Sequence, residues 1–432
     1  MSEDGDDTSD ERESERPRRR APVPAELRRE FLSGAIPAVP GRLREEPEDF
    51  VVEELPLYEP SGEGEHLYLW IEKRGIPTHE AIRRIAQRTN VPKRAIGYAG
   101  LKDARAVTRQ WLSLQHADPA LVERIDDEQL RVLVAKPHKN KLKIGHLRGN
   151  RFRLLIAGGG PGEADARAAL TLLSERGVPN LFGLQRFGWE RHTHLLGEAL
   201  VREQAERVVE LVLLGPEGST LDHGRVLEAR EAVRAGDHAR AERAFPGRCS
   251  AERAICRALA KGEDHERAVR AIPPKMRDLY LSAFQSLLFN RYLAARLERL
   301  DVLEEGEIAT KHRNGASFLV EDVDAEQPRC AAQEISPSGP IFGRKLLRPR
   351  EGSAPYALEE AVLAEHAPGL PVCLSEGRAL GVRPQGARRP LRIPLGEVEV
   401  EREGDDLRVA FSLPKGCYAT AVIEELFKEQ VD

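Results

Sequence analysis

Between residues 107 and 112 the chain alternates: Val107, Arg109 and Trp111 fall on one side, and Thr108, Gln110 and Leu112 on the other, the two-residue period of a strand. Upstream, Phe50-Val51-Val52 and then Leu67, Leu69 and Ile71 read as two further strands, separated by a turn at Pro60-Ser61-Gly62. Thr78 stands where a helix N-cap would, ahead of an apolar face made by Ala81, Ile82 and Ile85. A helical stretch is expected after Trp111. The run from Lys136 to Arg153, with Leu142, Ile144 and Phe152 interleaved among cations, reads as a folded hairpin or as solvated surface. Val178 to Gly188 is an aromatic, glycine-rich bend. From about Glu206 to Arg388 the texture turns rich in Ala, Arg and Glu with long helical periodicity, as from Ala251 to Arg270, and an amphipathic helix begins at Ser282. Ala387–Pro394 and Phe411–Lys428 then read as a closing strand and a C-terminal helix. The alternation of strands and helices gives α/β or α+β, without an internal repeat.

Composition narrows the class. A chain of 432 residues favours two domains. Hydrophobic residues make up 41% and charged residues 32%, and no apolar run approaches the 18 or so residues of a membrane span, so a soluble protein is expected. The opening MSEDGDDTSDERESERPRRR has no apolar segment of a secretory signal, which places the expectation in the cytoplasm. Residues 1 to about 24 are acidic, Ser-rich and free of aromatics, the composition of a solvated, disordered tail. Five cysteines, Cys249, Cys256, Cys330, Cys373 and Cys417, form no C-x-x-C pair and read as structural thiols. Net charge is −5, of which the eight acids and five arginines of the first twenty residues supply −3, so the rest of the chain is nearly neutral. A local basic stripe can still make phosphate contacts under that balance.

Two stretches carry candidate chemistry. In Gly97 to Trp111, Asp103 sits at the mouth of the strand with Lys102, Arg105 and Arg109 close in sequence; cations favour an ionised carboxylate, which can act as a nucleophile, while a turn-closing aspartate accounts for the same pattern. From Lys136 to Arg153 seven Lys/Arg and two His run without an acid, and Lys136, Lys139, Lys141, Lys143, Arg148 and Arg151 are the candidate RNA contacts. Glu48, Asp49, Glu53 and Glu54 are expected on solvated strand ends. Ala157 to Gly162, AGGGPG, lacks the Gly-Lys-Ser/Thr of a phosphate loop and is a turn. His192 and His194 have no acid or Cys at ligand spacing and are expected as surface or capping residues, not metal ligands.

The string GLKDARAVTRQW resembles the catalytic-aspartate motif of the TruD family of tRNA pseudouridine synthases. PEDFVVEE with EPSGEGEHLYL is similar to that family's N-terminal signature, and VPNLFGLQRFG to its N-x-F-G-x-Q-R-F-G motif, with Leu181 where Tyr is common. SAFQSLLFNRYLAARL, SPSGPIFG, ARRPLRIP and FSLPKGCYATAVIEELFK follow in the family's order, so the likeness runs from about Gly41 to Lys428. The resemblance implies a pseudouridine synthase fold of the α/β (α+β) class: a mixed, largely antiparallel sheet flanked by helices, with residues 25–205 and 389–432 forming the catalytic domain and 206–388 inserted. It implies isomerisation of a tRNA uridine, uridine 13 in bacteria and other sites in some relatives, by a monomer with no membrane attachment, no metal and no nucleotide cofactor. Asp103 would be the essential carboxylate, attacking the sugar carbon or abstracting a sugar proton, with Lys102, Arg105 or Arg186 as its compensating cation. Phe182 would stack on the flipped base, and Asn180 would bond the uracil edge or orient Asp103. A non-catalytic RNA-binding module would need the basic stripe without Asp103; a metal-dependent RNA hydrolase would need clustered carboxylates, which the sequence does not offer near these motifs.

Overall fold

In the computed structural model, residues 21–43, 46–102, 104–217, 219, 221, 223–368 and 380–431 are described. Asp103, Cys373 and the acidic tail up to residue 20 lie outside the described residues. The strands are Arg42–Leu43 (β1), Phe50–Pro56 (β2), His66–Arg74 (β3), Ile96–Tyr98 (β4), Val107–Gln115 (β5), Leu130–His138 (β6), Leu147–Ala157 (β7), Val178–Pro179 (β8), Ile308–Lys311 (β9), Ser317–Leu319 (β10), Ile335–Ile341 (β11), Ala387–Pro390 (β12), Arg392–Ile393 (β13), Gly396–Glu403 (β14) and Asp406–Pro414 (β15). The helices are Thr78–Thr89 (α1), Glu163–Arg176 (α2), Thr193–Val201 (α3), Ala205–Leu214 (α4), Gly224–Arg234 (α5), His238–Ala244 (α6), Ser250–Ala260 (α7), His265–Ala271 (α8), Pro274–Ala295 (α9), Val323–Ala331 (α10), Ala354–His366 (α11) and Thr420–Phe427 (α12).

The larger sheet runs β14-β15-β7-β2-β5-β3-β6, with β1 on β7 and β4 on β5. Only β2 and β5 pair in parallel; every other neighbour is antiparallel, so the mixed, largely antiparallel sheet flanked by helices is present. Alternation decides its two faces. Leu69, Ile71, Leu112 and Leu114 bury against Ala81, Ile82 and Ile85 of α1. Phe50, Val52, Phe152, Leu154, Leu407 and Phe411 bury on the same face against α2 and α12. Opposite, a row in register crosses five strands as Arg151, Glu53, Arg109, Glu72 and Arg131, alternating in sign. Arg109 lies 2.9 Å from Glu72 and 3.7 Å from Glu53.

Four local expectations are corrected. The basic run is not a hairpin: β6 borders β3 alone, and β7 lies between β2 and β15. The link 139–146 therefore crosses four strand spacings of about 4.8 Å, within its extended reach of about 3.3 Å per residue. It is held by Tyr68 Oη donating to the Asn140 carbonyl (3.0 Å) and by Leu142 N–H donating to Ser113 (3.0 Å), which seats Leu142 on Tyr68 and Trp111. After Trp111 the two-residue alternation runs on through Leu112 and Leu114 to Gln115, so the chain stays in β5 and then makes only a short 3-10 turn, Pro119–Arg124, capped by Asp118. Thr78 is the first residue inside α1, Pro77 being the N-cap, and its hydroxyl bonds Gln110 and the Lys102 N–H instead. Glu54 is not on a solvated strand end but buried mid-sheet.

The remaining chain is mostly helical. Helices α3 to α8 enclose a core including Leu200, Val208, Leu211, Phe245, Ile255 and Ile272. Phe284, Leu288, Phe289 and Tyr292 of α9 form another with Leu391. A second sheet runs β10-β9-β11-β12, and β8 pairs with β13. The segment expected as one closing strand is thus divided: Arg389 faces Gly339 in the second sheet, whereas Arg392 faces Pro179. The two ends of the chain meet, since Glu425 accepts from the N–H groups of Leu32 (3.2 Å) and Ser33 (2.9 Å) and from the Ser33 hydroxyl (2.6 Å).

Candidate active site

The loop before β5 is built from backbone upward. A Cβ at Gly97 would run into the Leu142 carbonyl and the Ser113 hydroxyl, so only glycine allows β4 to lie under the crossing link. Gln110 then donates to the Gly100 carbonyl (3.2 Å), and Thr78 accepts from the Lys102 N–H (2.9 Å). Lys102 turns inward: its Nζ lies 3.0 Å from Glu54 Oε2 and donates to Asn150 Oδ1 at 2.7 Å. Glu54 also accepts from the Trp111 N–H at 3.3 Å. Burial pushes the Glu54 carboxyl above its usual range, and Lys102 pulls it back. Of the three cations considered for position 103, Lys102 is therefore engaged with a different carboxylate; Arg105 stays on the surface two residues along.

A second group comes from distant sequence. The Asn180 N–H donates to the Leu391 carbonyl (2.8 Å), and its side-chain amide donates to the Pro390 carbonyl (2.8 Å). Arg389 answers with two bonds, Nε to the Asn180 carbonyl (3.1 Å) and Nη2 to Asn180 Oδ1 (2.5 Å). Phe182 is clamped through its backbone by both ends of the Asn290 amide at 2.9 Å. Its half-buried ring meets Phe289 edge-on at 5.5 Å, with the Arg389 guanidinium 4.1 Å and the Arg186 guanidinium 5.2 Å from its centroid. Both positions are cation–π contacts. Burial, reinforced by Arg186, pulls Arg389 down to about 10, still charged at neutral pH. Sequence reasoning missed Arg389, reading ARRPLRIP as a closing strand and part of the family likeness without a role for its arginines.

The two groups adjoin through one turn. Asn150, which holds Lys102, pairs in register with Leu413 of β15, and the chain leaving β15 reaches Cys417 and Tyr418, near Arg389. Tyr418 is 76% exposed, an aromatic ring at the rim. Cys417, Cys256 and Cys330 are thiols raised by burial, which suits packing rather than reaction.

The six basic candidates separate. Lys136 and Lys143 are exposed, and Arg148 is exposed with Nε on the Pro56 carbonyl. Lys139 lies 2.6 Å from Glu63, Lys141 donates to the Arg94 carbonyl at 2.5 Å, and Arg151 is neutralised by Glu399 (2.7 Å) on the sheet face. His194 is corrected from surface to core: it is buried edge-on against Phe187, and burial holds it down at about 4 although Glu26 opposes the shift. No group of three or more His, Cys, Asp or Glu among the described residues has metal-binding geometry, and no described helix is long and apolar enough to cross a membrane.

Residues 28–426 match the family model described as tRNA pseudouridine synthase D (TruD). The chain belongs to the TruD family. It is 47% identical over 400 residues to the tRNA pseudouridine synthase D of Geotalea daltonii, covering 92% of this chain and 99% of that one. With the enzyme of the same name from Geobacter sulfurreducens it shares 48% identity, over 92% and 96% of the two chains. Among solved structures, the putative tRNA pseudouridine synthase D from Methanosarcina mazei superposes with a TM-score of 0.79 at 26% identity, covering 93% of this chain and 97% of that one. The mixed sheet and its flanking helices are thus those of a TruD enzyme, an isomerase of tRNA nucleotides.

Proposed function

We propose that this chain converts uridine 13 of tRNA to pseudouridine, with Asp103 as the essential carboxylate. The observation that supports the reading is the framing of position 103: Lys102 is fixed immediately before it by Glu54 and Asn150, beside a turn that leads to a clamped aromatic ring under two guanidinium groups. The reaction balances within the nucleoside. The N1–C1′ bond breaks, C5 joins C1′, C5 loses its proton and N1 gains one. Asp103 either attacks the sugar carbon or removes a sugar proton, and both routes need it ionised. A stacked base is out of reach, so the uridine must be extruded, and Phe182 offers it an aromatic surface. In this reading residues 25–205 and 389–432 form the catalytic domain, 206–388 are inserted, and residues 1–24 are a tail. The chain works as a monomer in the cytoplasm, with Lys136, Lys143 and Arg148 as its most available phosphate contacts.

The test is pseudouridine mapping in tRNA from cells with and without this gene, alongside purified protein. Asp103→Asn keeps the shape and removes the charge; it should bind tRNA nearly as well, because binding is mostly phosphate contact, and form no pseudouridine. Turnover by the Asn variant would remove Asp103 from its role, and an unmodified uridine 13 with modification elsewhere would move the target.

A further inference from the structure

Arg389, half-buried, keeps different company from several enclosed arginines of this chain. Arg296 faces Glu307 at 2.9 Å, Arg388 faces Glu359 at 2.5 Å and Arg29 faces Glu424 at 2.5 Å. Arg392 is satisfied by the carbonyls of Arg176 (2.6 Å) and Cys330 (2.5 Å) and by the Ser336 hydroxyl (3.1 Å). Arg389 has no carboxylate within ion-pair distance among the described residues. Two of its nitrogens are held by Asn180, and the third, Nη1, has no hydrogen-bond partner among them. A second cation, Arg186, shares the same aromatic ring. Removing a cation from water without a counter-charge is costly. Here the cost is met by a scaffold that fixes the guanidinium plane: Asn180 is tied by its own N–H to Leu391, between β12 and β13, and Phe182 is held by Asn290. A planar fork with one open edge, held rigid in a field of like charge, is an anion site awaiting an oxygen.

We infer that Arg389 touches the substrate: its open Nη1 edge binds a non-bridging oxygen of a phosphate flanking the extruded uridine, while its plane holds the Phe182 ring against which the base lies. This rests on the tRNA reading above. Asn180 is then a positioning residue, acting through Arg389. A phosphate explains features that stacking alone leaves idle, namely the lack of a carboxylate partner among the described residues and the open edge.

The experiment is a cycle between protein and substrate. tRNA substrates, each carrying one uncharged methylphosphonate at a position flanking the target uridine, are turned over under single-turnover conditions by the wild type and by Arg389→Gln and Arg389→Lys. One methylphosphonate should lower wild-type kcat/KM by about 10- to 100-fold, the range of a lost hydrogen bond to a charged group, and should cost the Gln variant nothing further. The Gln variant should also lose about 0.7–0.9 from the log–log salt slope of tRNA binding. Arg389→Lys, which keeps charge and stem but not the fork, should keep the wild-type slope and fold normally even where Gln does not. Methylphosphonate penalties that are the same in wild type and variants at every position, or a slope unchanged in Gln, would overturn the role of Arg389. A wild type that turns over none of the unmodified tRNA would instead overturn the function itself.

Discussion

Three arginines within five residues, Arg388, Arg389 and Arg392, take three different environments, and nothing in ARRPLRIP distinguishes them. Strand alternation separates Arg388 from Arg389, and the step from β12 to β13 sends Arg392 in among α2, α10 and β11. Each fate depends on partners 29 to 216 residues away, so it was invisible to a reading of local pattern. Asn180 and Phe182 were reachable from their motif, yet the structure turns the Asn180 amide onto Arg389 and Pro390 rather than leaving it open. Two outcomes follow at this scale. Phe182→Ala should melt close to the wild type, because the ring is only half-buried, and should lose roughly 1–3 kcal/mol of base stacking in single-turnover rate; Phe182→Tyr should keep part of the activity. A large drop in melting temperature with normal turnover per folded molecule would place the ring in the core alone. Glu54→Gln leaves the Lys102 ammonium buried without its carboxylate and should cost about 3–5 kcal/mol of stability. Chemical denaturation measures that cost, and Glu54→Gln/Lys102→Met should recover most of it.

At the scale of elements, strands and helices were largely legible because their period is local: Val107–Gln115 and the Ala81–Ile82–Ile85 face appear where the pattern puts them. Which strand lies beside which was not. The cations of 136–153 looked like one hairpin because periodicity reports a strand without its neighbour; in fact three strands stand between β6 and β7. The consequence is measurable. Lys143→Ala, on the exposed crossing link, should reduce the salt slope of tRNA binding by about 0.7–0.9. Arg151→Ala should leave that slope unchanged, since Glu399 and Glu397 already offset it. Equal effects of the two changes would show that the sheet face as well as the link meets RNA.

For the whole molecule, sensitivity to acid is written into two imidazoles withdrawn from water, His194 fully buried and His312 half-buried. His194 and His312 are each held at about 4 by burial, below the ordinary value of 6.5. Because the folded value is the lower one, the stability this lends is complete above about pH 6.5 and is lost as pH falls towards 4, where the unfolded chain takes up protons that the folded one refuses. Each site accounts for up to about 3 kcal/mol. Melting temperatures should fall between pH 6.5 and 4, and His194→Gln/His312→Gln should flatten that fall; an unchanged profile would trace acid lability to other groups.

The meeting of Ser33 with Glu425 also sets an order of events while the chain is being made. When a ribosome has reached residue 391, the helical cores of α3 to α9 have all their residues, but β14, β15 and α12 do not yet exist. The long edge of β7 is then open, and half of the face that will cover Phe152 and Leu154 is missing. Leu32 and Ser33, synthesised long before, wait through nearly four hundred residues for the carboxylate that receives their N–H groups. A nascent chain halted before Asp406 would therefore carry a finished helical half beside a larger sheet with one flank unzipped, prone to pair its β7 edge with a neighbouring chain.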